Sequence, residues 1–341
     1  MSEPSPLSRT HVLSVGCTRG WFRTLLGTSA VALGVGGVPA VDAIAQSRTE
    51  PRTYDAPRVP SPPVIDGSLD DPVWRTPPWT EPFVDIRGDR WPEPTWTTRA
   101  KIAWDDDHLY IAAELEEPHL WATLADRDAI LYREHDFEVF IDPDGDALDY
   151  YELEINALGT EFDLFLPRPY NRKGKANVGW DMAGLRTAVA LDGTLNDPSD
   201  EDRGWTVEIA IPWSALRPPV GGSAGDDPRE TDRYATRMRR HDPGAGPRLG
   251  DEWRINFSRV QWPVVVVQGG YRRTREPSPG DRHPEHNWVW SPQGEINMHI
   301  PEMWGIVRFV DEADRQRHAA QTHAGSDMPV PDDGNPRSRS R

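Results

Sequence analysis

Cysteine, lysine and long apolar runs are the scarce features of this sequence. Cys17 is the single cysteine among 341 residues, so no disulfide framework, zinc ribbon or iron–sulfur centre can be assembled within the chain. Lysine occurs only as Lys101, Lys173 and Lys175, and the other basic residues are arginines. Basic residues number 38 against 55 acidic ones, a formal net charge of −17. That charge repels phosphate backbones and anionic lipid, which excludes nucleic-acid and membrane-surface roles. His283, His286 and His299 lie in a loop-rich region, with no H-E-x-x-H or comparable spacing, so no zinc site is expected from them. The apolar run Leu25 to Val38 is too short to span a bilayer comfortably. It follows Arg9, Arg19 and Arg23 and precedes Ala43-Ile44-Ala45. This is the pattern of a signal peptide over residues 1–45, cut before Gln46, and it predicts a secreted or periplasmic protein with no membrane span in the mature chain.

Proline and tryptophan are plentiful, at 34 and 15 residues. Residues 46–62 read as a polar, Pro-rich linker. Residues 311–341 lack apolar periodicity and read as a disordered acidic and polar tail. The folded part is therefore 63–310, one domain's worth of chain. Within it, Thr97 to Trp104 alternates and turns at Asp105-Asp106-Asp107-His108 into Leu109 to Leu115. Asp136 to Ile141, Tyr150 to Asn156, Glu161 to Leu166, Leu185 to Leu191, Trp205 to Ile211, Trp253 to Val260 and Gly305 to Val310 continue the pattern. Strands of this length between Gly, Pro and Asp turns predict an all-β sandwich or barrel. Helix is confined to short turns near Ser68 to Trp74 and Pro212 to Leu216. Trp74, Trp104, Trp205, Trp213 and Trp253 fall in or beside strands and are expected in the core.

Five segments then resemble family 9 carbohydrate-binding modules, in the right order. They are Val64-Ile65-Asp66-Gly67 through Trp74; Ile102-Ala103-Trp104-Asp105 with Leu109-Tyr110-Ile111; Asp136 through Asp142; Gly204-Trp205-Thr206-Val207-Glu208 through Trp213; and Pro301-Glu302-Met303-Trp304-Gly305. The resemblance covers about 64–310. It implies a two-sheet antiparallel, jelly-roll-like β-sandwich that binds oligo- or polysaccharide, often with structural calcium, as a non-catalytic aid to polysaccharide catabolism beside cell-wall-degrading enzymes. In the family two tryptophans grip a sugar ring. Here one of those positions is Tyr132, and the other falls near Met298-His299-Ile300. The sugar-contacting Glu is retained as Glu138. The expected arginine is replaced by Glu154, ahead of Asn156.

Aromatic rings suit sugars because pyranose C–H faces are apolar while the hydroxyl edge takes directed hydrogen bonds. The candidate carbohydrate-binding residues are Tyr132, Glu138, Asn156, Trp180, Trp288 and Trp290, with the three tryptophans assigned to loops. Asp136 and Glu138 share a strand face. Asp142, Asp144 and Asp146 place three carboxylates in five residues, a candidate calcium loop that is otherwise an Asp-rich turn. Two other readings stay open. A glycoside hydrolase would need an acid/base carboxylate pair with shifted pKa, and Glu152, Glu154 and Asp163 form no motif for one. A haem-binding redox sandwich would use Met and His ligands; Met298 and His299, adjacent on an extended segment, would point to opposite faces.

Overall fold

The structure, a computed structural model, describes residues 50–219, 242–278, 280 and 282–312. All of them belong to the larger of two compact units, 47–341. The predicted leader and the predicted tail beyond residue 312 lie outside the described residues, as does most of the insertion 226–250.

The described elements are strands and short 3-10 turns. In chain order the strands are β1 (Thr53–Pro57), β2 (Val84–Asp85), β3 (Thr98–Trp104), β4 (His108–Glu116), β5 (Asp136–Asp142), β6 (Tyr150–Ile155) and β7 (Glu161–Leu166). They continue as β8 (Arg186–Asp192), β9 (Gly204–Pro212), β10 (Glu252–Gln261), β11 (Val264–Val267), β12 (Gly270–Arg273), β13 (His286–Val289) and β14 (Gly305–Val310). The larger sheet runs β1-β14-β10-β5-β6-β7, with β13 also on β10 and β2 on β13; the smaller runs β3-β4-β9-β8. Among the described strands β1 and β14 pair in parallel, and the other ladders are antiparallel. Among the described residues no helix is long and apolar enough to cross a membrane.

Alternation builds the core. Ala100, Ile102 and Trp104 of β3 and Leu109, Ile111 and Ala113 of β4 meet Phe137, Val139, Ile141, Leu153, Ile255 and Phe257 of the larger sheet in one buried cluster. This is sheet-on-sheet packing of a β-sandwich. All five tryptophans expected in the core are buried there or beside it. Two expectations change. Residues 53–57 of the Pro-rich stretch form a strand, because Tyr54 and Ala56 have an apolar bed beside β14 and their backbone completes its ladder. His286 to Val289, read as loop, is a strand on β10.

Glu208 explains two of the five segments. It is buried on the outer face of the smaller sheet, where Oε1 accepts from Trp74 Nε1 at 2.6 Å and Oε2 accepts from the amides of Asp66 and Gly67 at 3.0 and 2.8 Å. It thereby clasps the 66–74 segment over Tyr110, Ala112 and Ala210.

Candidate carbohydrate-binding site

The site forms on the face of the larger sheet turned away from the core. Phe137, Val139 and Ile141 of β5 point inward, so Asp136, Glu138 and Phe140 point outward. By the same alternation Tyr150, Glu152 and Glu154 of β6 and Phe162 and Leu164 of β7 share that outer face. The register sets Glu154 directly opposite Glu138, and Ser258 of β10 opposite it on the other side. Segments 130–133, 170, 285–287 and 296–299 rise around these side chains and close a cavity of about 910 Å³.

The floor, with Glu138, Glu152 and Glu154, is acidic, and Asp136 lies next to Glu138 on the same strand face. Asp136, Glu138, Glu152 and Glu154 are all buried. Glu154 Oε2 accepts from the amides of Leu131 and Tyr132 at 3.0 and 3.1 Å, which fixes the 3-10 turn that carries Tyr132. Asp136 Oδ1 accepts from Val260 N at 3.3 Å, while Asp136 Oδ2 and Glu152 Oε2 have no hydrogen-bond partner. Burial, then the neighbouring carboxylates, push Asp136, Glu152 and Glu154 well above the usual carboxylate range. Burial raises Glu138 to about 7, with the neighbouring Ser258 hydroxyl opposing the rise and Glu285 adding to it. The wall is aromatic. Tyr170 stands edge-on to His299 with ring centroids 4.5 Å apart. His299 Nδ1 lies 3.0 Å from the Tyr150 hydroxyl, and burial lowers its pKa to about 4.

Tyr132 and Glu138 are brought together in this cavity, as expected from the sequence. Tyr132 is 48 % exposed, and its carbonyl accepts from Trp262 Nε1 at 2.9 Å. The other four candidates lie elsewhere. Trp288 and Trp290 are 3 % and 0 % exposed and belong to the core. The reason is strand parity: Trp288 pairs with inward-facing Arg259, so Asn287 and Val289 take the outer face. Trp290 then packs on Tyr54 and Phe257. Trp180 packs on Tyr151 and Phe165 at 5.1 and 6.3 Å between centroids, on the interior side of the sheet. Asn156 is fully buried; its Oδ1 accepts from Leu158 and Thr160 amides at 3.0 Å each, and its Nδ2 donates to Leu124 O at 2.8 Å. It shapes a turn and is enclosed, out of a ligand's reach.

The Asp-rich turn brings one oxygen each of Asp142, Asp144 and Asp146 within 4.8 Å of one another. Asp142 accepts from the amides of Gly145 and Ala147 at 3.0 and 2.9 Å, so any fit to calcium there leans on exposed or half-buried Asp144 and Asp146. Met298 and His299 both line the cavity, contrary to the opposite-face expectation, because their segment bends instead of running as a strand. Sequence reading missed Tyr170, Phe162 and Asn287 as lining residues. A second cavity, about 590 Å³, lies against the smaller sheet and is lined by the exposed ion pairs Arg99–Glu114 and Arg203–Asp192. It has no comparable buried polar group in its lining.

With the fold and cavity in view, comparison with known proteins defines the class. The model of the carbohydrate family 9 binding domain-like family matches residues 65–242, and the chain belongs to that family. It is 27 % identical over 172 residues to endo-1,4-beta-xylanase A of Thermoanaerobacterium saccharolyticum, a match covering 48 % of this chain and 12 % of the xylanase. It is also 27 % identical over 156 residues to endo-1,4-beta-xylanase A of Thermotoga neapolitana, covering 46 % and 12 %. The chain thus spans about an eighth of the length of these curated relatives. In fold it is similar to the crystal structure of a candidate carbohydrate-binding protein from Bacteroides uniformis ATCC 8492, with a TM-score of 0.51, 17 % identity, and coverage of 76 % of this chain and 100 % of that one. The domain is a family 9-type carbohydrate-binding sandwich.

Proposed function

We propose that the protein is an exported, non-catalytic saccharide receptor whose site is the cavity on the outer face of the larger sheet. One observation carries the placement: the exposed ring of Tyr132 stands beside a recessed, acceptor-rich floor that includes Glu138. A pyranose laid on Tyr132 would direct hydroxyls to Glu138 and neighbouring acceptors while Tyr170 and Phe162 cover apolar C–H surface. The similarity to xylanase-borne modules points to plant-type polysaccharide as the first ligands to try, and to cell-wall-degrading enzymes as the context. The test is an affinity-gel and glycan-array screen of the chain starting at Gln46. Retention by at least one polysaccharide is expected. Retention by none, in a folded sample, would remove this reading.

A hydrolase reading has the shifted carboxylates in its favour. Acid/base work at a glycosidic bond needs one carboxyl kept protonated and one ionised, that is, environments that split the pair. Here burial shifts Asp136, Glu138, Glu152 and Glu154 all upward, Glu138 the least strongly, and the four stand together on two adjoining strands instead of facing each other across a bond-sized gap in the cavity. The absence of released reducing ends from every retained glycan is the expected result.

A further inference from the structure

Hydroxyl groups alone do not account for the floor of the cavity. A saccharide donates hydrogen bonds but brings no positive charge, whereas Asp136, Glu138, Glu152 and Glu154 place four carboxyl groups on two adjoining strands. None of the four forms an ion pair with a described residue. Glu138 and Glu154 stand directly across a ladder, an arrangement that like charges disfavour. One oxygen each of Asp136, Glu138 and Glu154 lies within 4.8 Å of the others. Glu152 adds a separate sign: it lies outside that trio, is 6 % exposed, lines the cavity, and its Oε2 has no donor. An ionised carboxylate only accepts, so an unpartnered buried oxygen calls for a proton or a cation.

We propose that Asp136, Glu138 and Glu154, with Glu152 beside them, hold a divalent cation of the hard, oxygen-preferring kind, calcium foremost, whose open coordination positions face the cavity and take saccharide hydroxyls. Calcium binds six to eight oxygens at about 2.3–2.6 Å, so two of its ligand oxygens stand at most about 5 Å apart. The 4.8 Å spread meets that limit. Three carboxylates fill only part of such a shell. The sheet closes one side of the ion, which leaves the cavity side for water or for a pair of hydroxyls. Glu154 also grips the Tyr132 turn, so the same residue ties the ion to the stacking ring. The hydroxyl step rests on the saccharide reading, whereas the cation site stands without it.

The experiment is calorimetric titration of the chelator-stripped full chain with calcium chloride, without sugar, beside the Glu138→Gln, Glu152→Gln and Asp144→Asn variants. Amide replacements keep shape and remove repulsion, and Glu152→Gln removes no hydrogen bond from its unpartnered oxygen, so it serves if Glu138→Gln does not fold. Calcium binding that weakens about tenfold or more in Glu138→Gln or Glu152→Gln, and is unchanged in Asp144→Asn, supports the site. No binding by the stripped wild type, or binding lost only in Asp144→Asn, overturns it. A second arm repeats glycan retention with and without chelator. Retention abolished by chelator and restored by calcium supports the hydroxyl step. Retention indifferent to chelator overturns that step and leaves the saccharide reading intact. Calcium binding at the floor with no glycan retained overturns the saccharide reading and leaves the cation site.

Discussion

Tyr132 and Trp290 show how differently two rings can serve in one sandwich. Tyr132 is half exposed at the mouth of the cavity, so truncating it removes a stacking surface and little packing. Tyr132→Ala is expected to weaken saccharide binding by about 1–3 kcal/mol, as for a hot-spot ring, with the thermal midpoint nearly unchanged. Trp290 is fully enclosed, and a Cβ added at Gly305 would come within 2.2 Å of its ring. Trp290→Ala should therefore cost about 3–5 kcal/mol of stability, measured by denaturant unfolding. Sequence reading separated these roles only in part. Tyr132 and Glu138 were legible through the central strand's pattern and its resemblance. Trp288 and Trp290 were not, because HNWVWSPQG resembles a loop, and the facing of its rings depends on the register with β10.

At the scale of elements, the legible strands were the long, alternating ones. Glu161–Leu166 and Gly305–Val310 appear in the structure with the bounds read from the sequence, and the other long strands differ at their ends. The missed strands β1, β2 and β11 to β13 have two to five residues, too few for a period to emerge. The opening segment, residues 64–74, has a structural purpose. Gly67 has φ of +88°, and a Cβ there would come within 2.6 Å of the β8 backbone. Gly67→Ala is expected to lower the thermal midpoint by straining the turn that Glu208 holds, without altering saccharide affinity. Calorimetric unfolding and a glycan titration of the same sample check both halves. A loss of affinity at unchanged stability would place the opening segment at the ligand instead.

At the scale of the molecule, the buried Arg259–Glu117 ion pair links the larger sheet to the end of β4 in the smaller one. Arg259 of β10 is 1 % exposed and donates to Glu117 Oε2 and to Thr98 Oγ1 of β3 at 2.8 and 2.9 Å. His135 Nδ1 lies 3.2 Å from the same Glu117 oxygen. Burial would raise the Glu117 pKa, but His135, Arg259 and the His119 amide together outweigh it and hold the carboxyl at about 2. A depressed folded pKa contributes stability above the unfolded value, here 4.5, and that contribution is lost as pH falls toward 2. Glu117→Gln is thus expected to lose about 3–5 kcal/mol at pH 7, because it strands a buried guanidinium. The gap to wild type should narrow as pH drops through that window, as followed by urea unfolding at stepped pH. The central claim remains that saccharide binds on the outer face of the larger sheet. Its most direct measurement is calorimetric titration of the best glycan from the screen into folded wild type, Tyr132→Ala and Trp180→Ala. The cavity placement predicts that Tyr132→Ala loses most of the affinity while Trp180→Ala, on the interior side of the sheet, keeps it. Full affinity in Tyr132→Ala with loss in Trp180→Ala would contradict it.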